Sequence, residues 1–185
     1  MIIIGITGTL GAGKGTIVEY LIEKKGFAYF SVRGFLLEQI RQRSMPENRD
    51  SMYNLANALR AEHGPSYVVD QLFEEANRSG RNSVIESIRT TGEVASLRNK
   101  GTFYLFAVDA DPELRYERIQ VRRSETDSVS FETFLANETR ESVSTDPGVQ
   151  NLQACIREAD VVFQNNGSME ELFVQIDTAI LQLGI

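Results

Sequence analysis

The chain has 185 residues, a length that suits one domain, and its 42% hydrophobic and 24% charged residues suit a soluble globular protein with a sizeable core. Nineteen Lys and Arg against 26 Asp and Glu give a net charge of −7, which argues against a general nucleic-acid binder and against an anionic-membrane binder. The single cysteine, Cys155, excludes an internal disulfide and points to a reducing, cytoplasmic setting, and the single histidine, His63, excludes a histidine-rich metal site or a Ser–His–Asp hydrolase.

Apolar runs and helical stretches alternate along the chain. "IIIGIT" (2–7) reads as a buried strand rich in β-branched residues; the opening has no basic segment and is too short for a signal peptide. Next comes "KGTIVEYLIEKKG", with Ile17, Val18, Leu21 and Ile22 at helical spacing and Gly26 as a stop. "FAYFSV" (27–32) is the second strand. Helical segments follow: "GFLLEQIRQR", "DSMYNLANALRAEHG" and "PSYVVDQLFEEANRSG", with Pro65 in the first turn of the last. "NSVIES" (82–87) is the third strand, and "TTGEVASLRNKG" a helical turn or short helix. "TFYLFAVDA" (102–110) is the fourth strand. Asp111 and Pro112 open the helix "DPELRYERIQVRR", and "SFETFLANETRESV" is helical. "ADVVFQN" (159–165) is the fifth strand. The last helix, "SMEELFVQIDTAILQL", opens on the capping box Ser168-x-x-Glu171. No run approaches the ~20 apolar residues of a membrane helix.

This alternation predicts an α/β fold: a five-stranded parallel sheet with helices on both faces, three layers in one domain over 1–185. The helical excess over 33–80 is an insertion beside the strand ends, where such folds bind ligands.

"GTLGAGKGT", from Gly8 to Thr16, lies between the first strand and the first helix. Glycines there let backbone N–H groups and the helix N-terminus face a phosphate, and Lys14 adds a charge that reaches the β- and γ-phosphates. The usual pattern ends in Lys-Ser/Thr. Here Gly15 follows Lys14, and the hydroxyl comes one step later, at Thr16. Gly8, Thr9, Leu10, Gly11, Ala12, Gly13, Lys14, Gly15 and Thr16 are thus the candidate ATP-binding loop.

The form G-x-x-G-x-G-K-G-T resembles the nucleoside-monophosphate kinases, whose best-known member is adenylate kinase. The resemblance implies that Thr16 contacts phosphate, with a possible metal role. It also implies that Mg²⁺ is held largely through water near an acidic residue at a strand end. "VIESIRTT" supplies that position: Glu86 would orient metal-bound water, and Arg89 would grip the acceptor phosphate. "ERIQVRR" resembles the segment leading into the mobile lid of adenylate kinases. By that likeness Arg118 lies near the ATP base and Arg122 near the phosphates, over a short lid region at 123–140 with Arg140 on its far side. Arginine suits this chemistry because its planar fork donates two hydrogen bonds to a phosphate. Arg115, Arg118 and Arg122 share a helix face by spacing; a solvated basic face paired with Glu113 and Glu117 is the alternative.

On the acceptor side the Gly-Asp pair of adenylate kinases is missing. Arg33, Arg41 and Arg60 are the candidates there. Together with "VIESIR" and "ADVVFQNNGSMEEL", this block is similar to archaeal proteins described as adenylate-kinase-related or dephospho-CoA-kinase-like. In that likeness Asn165, Asn166 and Gly167 border the ATP base; a polar strand-to-helix turn is the alternative.

Taken together, Lys14, Arg89, Arg118 and Arg122 are the candidate catalytic set, and Arg33, Arg60, Glu86, Arg89 and Arg140 the candidate acceptor contacts. The expected function is ATP- and Mg²⁺-dependent phosphoryl transfer to a small phosphorylated acceptor, most readily a nucleoside or deoxynucleoside monophosphate. A dephospho-CoA kinase is the runner-up, set back by the lack of a carboxylate in "SVRG". An ATP-binding switch or assembly factor with weak ATPase activity is the third reading. The expected partners are the nucleotide donor and the small acceptor, with no nucleic acid and no membrane.

Overall fold

The computed structural model describes residues 1–122, 129–142 and 149–185. Its elements run β1 (Ile2–Gly8), α1 (Lys14–Lys25), β2 (Ala28–Ser31), α2 (Val32–Gln42), α3 (Arg49–His63), α4 (Tyr67–Ser79) and β3 (Ser83–Glu86). They continue with α5 (Thr91–Lys100), β4 (Thr102–Asp109), α6 (Pro112–Arg122), α7 (Phe131–Ser142), α8 (Leu152–Arg157), β5 (Val161–Gln164) and α9 (Met169–Leu183). The strands form one five-stranded sheet in the order β2-β3-β1-β4-β5, with every pairing parallel.

Strand periodicity divides the core. Ile3 and Leu105 point to one face, where α2, α3, α4, α5 and α8 bring Leu36, Ile40, Leu59, Val69, Leu72, Leu97 and Cys155. Ile4, Ile6, Phe106 and Val108 point to the other, against Ile17, Leu21, Leu172 and Ile176 of α1 and α9. Apolar residues cover both faces, which explains why the strands read as unbroken hydrophobic runs. Burial pushes the Cys155 thiol up to about 12, so it stays protonated at neutral pH and serves as a small apolar filler.

The short helix expected at "TTGEVASLRNKG" forms, and two local features, Pro65 and α8, differ from the sequence expectation. "TTGEVASLRNKG" holds a full ten-residue helix, stabilised by a capping box in which Thr90 and Glu93 exchange hydrogen bonds. Pro65 lies outside α4, whose N-cap is Ser66. The six-residue α8 has no counterpart in the sequence reading; its brevity hides any apolar period, and only Asn151, accepting from the Ala154 N–H, marks its start. The capping box at Ser168 and Glu171 forms as expected. Among the described residues no helix is long and apolar enough to cross a membrane.

The order β2-β3-β1-β4-β5 places β1 between β3 and β4. The chain leaves β1 toward one side of the sheet and crosses back after β3, so a crevice opens above the carboxyl end of β1. The carboxyl ends of β1, β3, β4 and β5 all face it, and α2 to α4 lie between β2 and β3 in sequence.

Candidate active site

The loop from Gly8 to Lys14 is held from three directions. Asp109, the last residue of β4, accepts from the Thr9 hydroxyl at 2.6 Å. Asn165, buried just after β5, donates from Nδ2 to the Ala12 carbonyl at 2.8 Å. Arg115 of α6 donates to the Leu10 carbonyl at 3.3 Å. The loop packs too closely for side chains at three of its glycines: a Cβ on Gly8, whose φ is 136°, would strike the Val108 carbonyl. A Cβ on Gly11 would strike the Arg115 carbonyl, and one on Gly13 would strike the Asn165 amide; both residues have positive φ, 81° and 106°. Gly15 differs, because a Cβ there would meet nothing within 4 Å. Packing therefore does not explain why glycine replaces the usual hydroxyl residue.

Lys14 opens α1 and donates from Nζ to the Gly8 and Thr9 carbonyls at 2.8 and 2.7 Å. Its ammonium lies inside the curl of the loop, beside the N-terminus of α1, where an anion is favoured. Around it opens a cleft of about 510 Å³, lined by Gly13, Lys14, Gly15 and Thr16 on one side and by Glu86, Ser87, Arg89, Arg118 and Arg122 on others. That volume lies within the ~300–1,000 Å³ range of ligand sites.

The turn after β3 contributes the acidic and basic pair. Glu86 accepts from the Tyr29 hydroxyl at 2.7 Å, across the β2–β3 pairing. Burial and the bond to Glu86 push the Tyr29 phenol up to about 12 against an opposing bond from Ser31, so it remains a donor at neutral pH. Ser87 has φ 75°, a strained conformation for a residue with a side chain. Its N–H and that of Ile88 both donate to the Ile6 carbonyl, at 3.1 and 3.0 Å, which fixes the sharp turn beside the loop.

The α6 arginines divide by depth. Arg118 and Arg122 line the cleft. Arg118 Nη1 is buried without a hydrogen-bond partner among the described residues. Arg115 lies one turn earlier and is only 3% exposed. It donates to the Ala110 carbonyl at 2.7 Å and pairs with Glu138 of α7 at 2.9 Å. Arg115 is therefore a buried brace for the phosphate loop, a role that helical spacing alone could not separate from that of its neighbours.

A second, smaller pocket of about 90 Å³ adjoins the cleft. Leu36, Met52, Tyr53 and Ala56 form its apolar side, and Arg33, Arg49, Arg60, Arg89 and Gln150 its polar side. Arg33, Ser87 and Arg89 line both cavities. Arg89 donates to Gln150 at 3.4 Å. Arg60 pairs at 2.7 Å with Glu93, both fully buried.

The remaining sequence candidates lie elsewhere. Asn166 and Gly167 are not among the residues that line the cleft. Asn166 exchanges hydrogen bonds with Asp111, and Gly167 packs against Glu171 of the α9 cap. Arg41 pairs with Glu47 on the surface. The lid stretch 123–128 and the Arg140 side chain lie outside what is described. The sequence reading missed Asp109, Tyr29, Glu93, Gln150 and Arg49, and gave Asn165 a different place, beside the base. Only Glu93 carried a local signal, the Thr-x-x-Glu spacing before α5.

Among the described residues no group of three His, Cys, Asp or Glu is placed to hold a metal. Thr16, Glu19, Glu86 and Ser87 carry the hard side-chain oxygen donors on the cleft wall. They fit Mg²⁺ that keeps most of its waters and binds chiefly to nucleotide phosphates.

A phosphate loop after β1, a parallel sheet in this order and arginines lining the cleft at the loop define the P-loop kinase-like fold. A relative from Methanococcus maripaludis, a UPF0200 protein, is 30% identical over 144 residues, which cover 76% of this chain and 78% of the relative. The AAA domain family matches residues 4–143. The chain belongs to the UPF0200 family and carries this AAA-type domain. Among solved structures, TT1252 from Thermus thermophilus superposes with a TM-score of 0.63 at 24% identity, covering 98% of this chain and 97% of its own. Shikimate kinase from Bacteroides thetaiotaomicron gives a TM-score of 0.53 at 13% identity, covering 100% and 99%. Both share the fold.

Proposed function

We propose that the protein transfers the γ-phosphoryl group of ATP to a small phosphorylated acceptor, most readily a nucleoside or deoxynucleoside monophosphate. The observation that supports this reading is the shared wall: Arg33, Ser87 and Arg89 line both the cleft at the phosphate loop and the arginine-rich pocket beside it. A donor in the cleft and an acceptor in the pocket would meet at that wall. Phosphoryl transfer relies on positioning and on stabilising charge over the transferring group, and arginines from two sides supply both. An oxygen of the acceptor phosphate attacks the γ-phosphorus, the bond to the bridging oxygen breaks, and ADP leaves. That oxygen is already anionic, so no proton need be removed. Mg²⁺, when bound with the nucleotide, neutralises phosphate charge. Thr16 and Glu86 would hold it through its waters.

The test is ADP release with ATP·Mg²⁺ against a panel of nucleoside and deoxynucleoside monophosphates. Acceptor-dependent turnover is expected, and ADP release that no acceptor stimulates would sink the reading. Within it, Arg89→Ala should raise the acceptor KM about 10- to 100-fold, the worth of a lost hydrogen bond to a charged group. An unchanged acceptor KM would remove Arg89 from the acceptor site.

One observation favours a second reading, a hydroxyl acceptor such as dephospho-CoA. Glu86 stands on the cleft wall beside Arg33 and Arg89, where a carboxylate could take a hydroxyl proton. Glu86→Gln should then lower turnover with dephospho-CoA by about 10²-fold or more. Wild-type inactivity with dephospho-CoA, or an unaffected variant, would discard it.

A further inference from the structure

We propose that Glu93 is a positioning residue of the acceptor pocket, one buried carboxylate that sets two of the pocket's arginines at once; this rests on the acceptor reading of that pocket. Glu93 is 0% exposed. Its Oε1 accepts from Arg60 Nη2 at 2.7 Å and from Arg60 Nε at 3.3 Å. Its Oε2 accepts from the backbone N–H groups of Arg89 at 2.8 Å and Thr90 at 3.0 Å. Four donors therefore converge on one carboxylate, and each oxygen takes two.

A helix cap alone does not need this arrangement. A capping box uses one oxygen of the N3 residue and works with glutamine as well as glutamate. The second oxygen, and the full charge, are spent on Arg60 across the chain. The result links α3 to the β3–α5 turn at the wall of the pocket. The main chain of Arg89 is fixed at both polar atoms, since its carbonyl accepts from the Asn151 N–H at 2.9 Å. Arg89 therefore enters the shared wall of the two cavities from a rigid base, while Arg60 is oriented in the pocket by the same carboxylate. Pre-set donors bind an anion without reorganising, so moving the carboxylate should be felt as lost affinity for anions in the pocket and not in the ATP cleft.

The test titrates inorganic phosphate by calorimetry into the full chain, saturated with Mg²⁺ and a non-hydrolysable ATP analogue that occupies the loop. Glu93→Gln retains the oxygen for the cap and loses the charge opposite Arg60. It is expected to weaken phosphate binding about 10- to 100-fold, the scale of a small misplacement of positioned groups, with affinity for the analogue unchanged. If the unpaired Arg60 charge prevents folding, Glu93→Gln combined with Arg60→Met removes it, because a neutral pair packs in place of a buried ion pair. That combination is also expected to weaken phosphate. Thr90→Val is the control for a purely structural role: it should lower the thermal midpoint by removing the cap yet leave phosphate affinity unchanged.

Folded Glu93 variants that bind phosphate as the wild type does would overturn the proposal. So would a Thr90→Val chain that loses phosphate equally, or a wild-type chain that binds none beside the analogue. Wild-type phosphate binding that depends on Glu93, without transfer to any acceptor, would instead refute the kinase reading and leave Glu93 as the organiser of an anion site.

Discussion

Replacing Lys14 by alanine is expected to lower kcat for phosphoryl transfer by about 10³-fold, with the fold intact. Lys14 Nζ now rests on two loop carbonyls, Gly8 and Thr9. Those two contacts are to partial charges, and the surrounding amides and the α1 N-terminus add to a positive field. A triphosphate in the cleft offers full negative charges to the same ammonium. The exchange is favourable in the ground state and more so as charge builds on the β–γ bridge, so the loss falls on kcat. Alanine keeps helix propensity at the first turn of α1, and Asp109, Asn165 and Arg115 still brace the loop. ADP release and the thermal midpoint, measured on one preparation, check both halves. Near-normal kcat in a folded variant would remove the loop from the chemistry.

Arg118→Met is expected to cost about 10³-fold or more in kcat, the low end of what one arginine supplies to a transferring phosphoryl group. The same change should leave the thermal midpoint unchanged or raise it. Arg118 Nη1 is buried with no partner among the described residues. A buried donor left unsatisfied costs about 1–3 kcal/mol, and more when charged. Methionine keeps the apolar stem and removes that cost. Stability and activity thus move in opposite directions, as expected where a site is held ready for a ligand. A folded variant that turns over normally, or one that unfolds well below the wild type, would contradict this account of Arg118.

The sheet and the longer helices were legible because the strands read as unbroken apolar runs and the helices between them carry a helical period, whereas the six-residue α8 is too short to show one. The phosphate loop was legible because its residues are contiguous. Glu86 and Arg89 could be placed because strand ends are where this architecture gathers ligands. The rest needed the strand order. Asp109 and Asn165 brace the loop from β4 and β5, about 100 and 150 residues away in sequence, at 2.6 and 2.8 Å; neither sits in a local pattern. Arg115, Arg118 and Arg122 look alike on a helical wheel, and only the packing of α7, through Glu138, turns the first into a brace. Arg60 read as an acceptor contact by charge and location; its buried pairing with Glu93 is a long-range contact that local sequence does not encode. Asn166 and Gly167 drew notice through a likeness, and their hydrogen bonds and packing serve the starts of α6 and α9.

The central claim is that the cleft and the pocket form the two halves of a transferase site. It separates sharply from the alternative of an ATP-binding switch, in which water attacks the γ-phosphorus and ADP and inorganic phosphate leave. The direct measurement follows the label from γ-³²P-ATP in the presence of Mg²⁺ and the monophosphate panel, with dephospho-CoA as a further arm. Label in a phosphorylated acceptor, abolished by Lys14→Ala and reduced by Arg89→Ala, is the result expected. Label appearing only as inorganic phosphate, at a rate no acceptor changes, would contradict the claim and make the protein a nucleotide-driven switch.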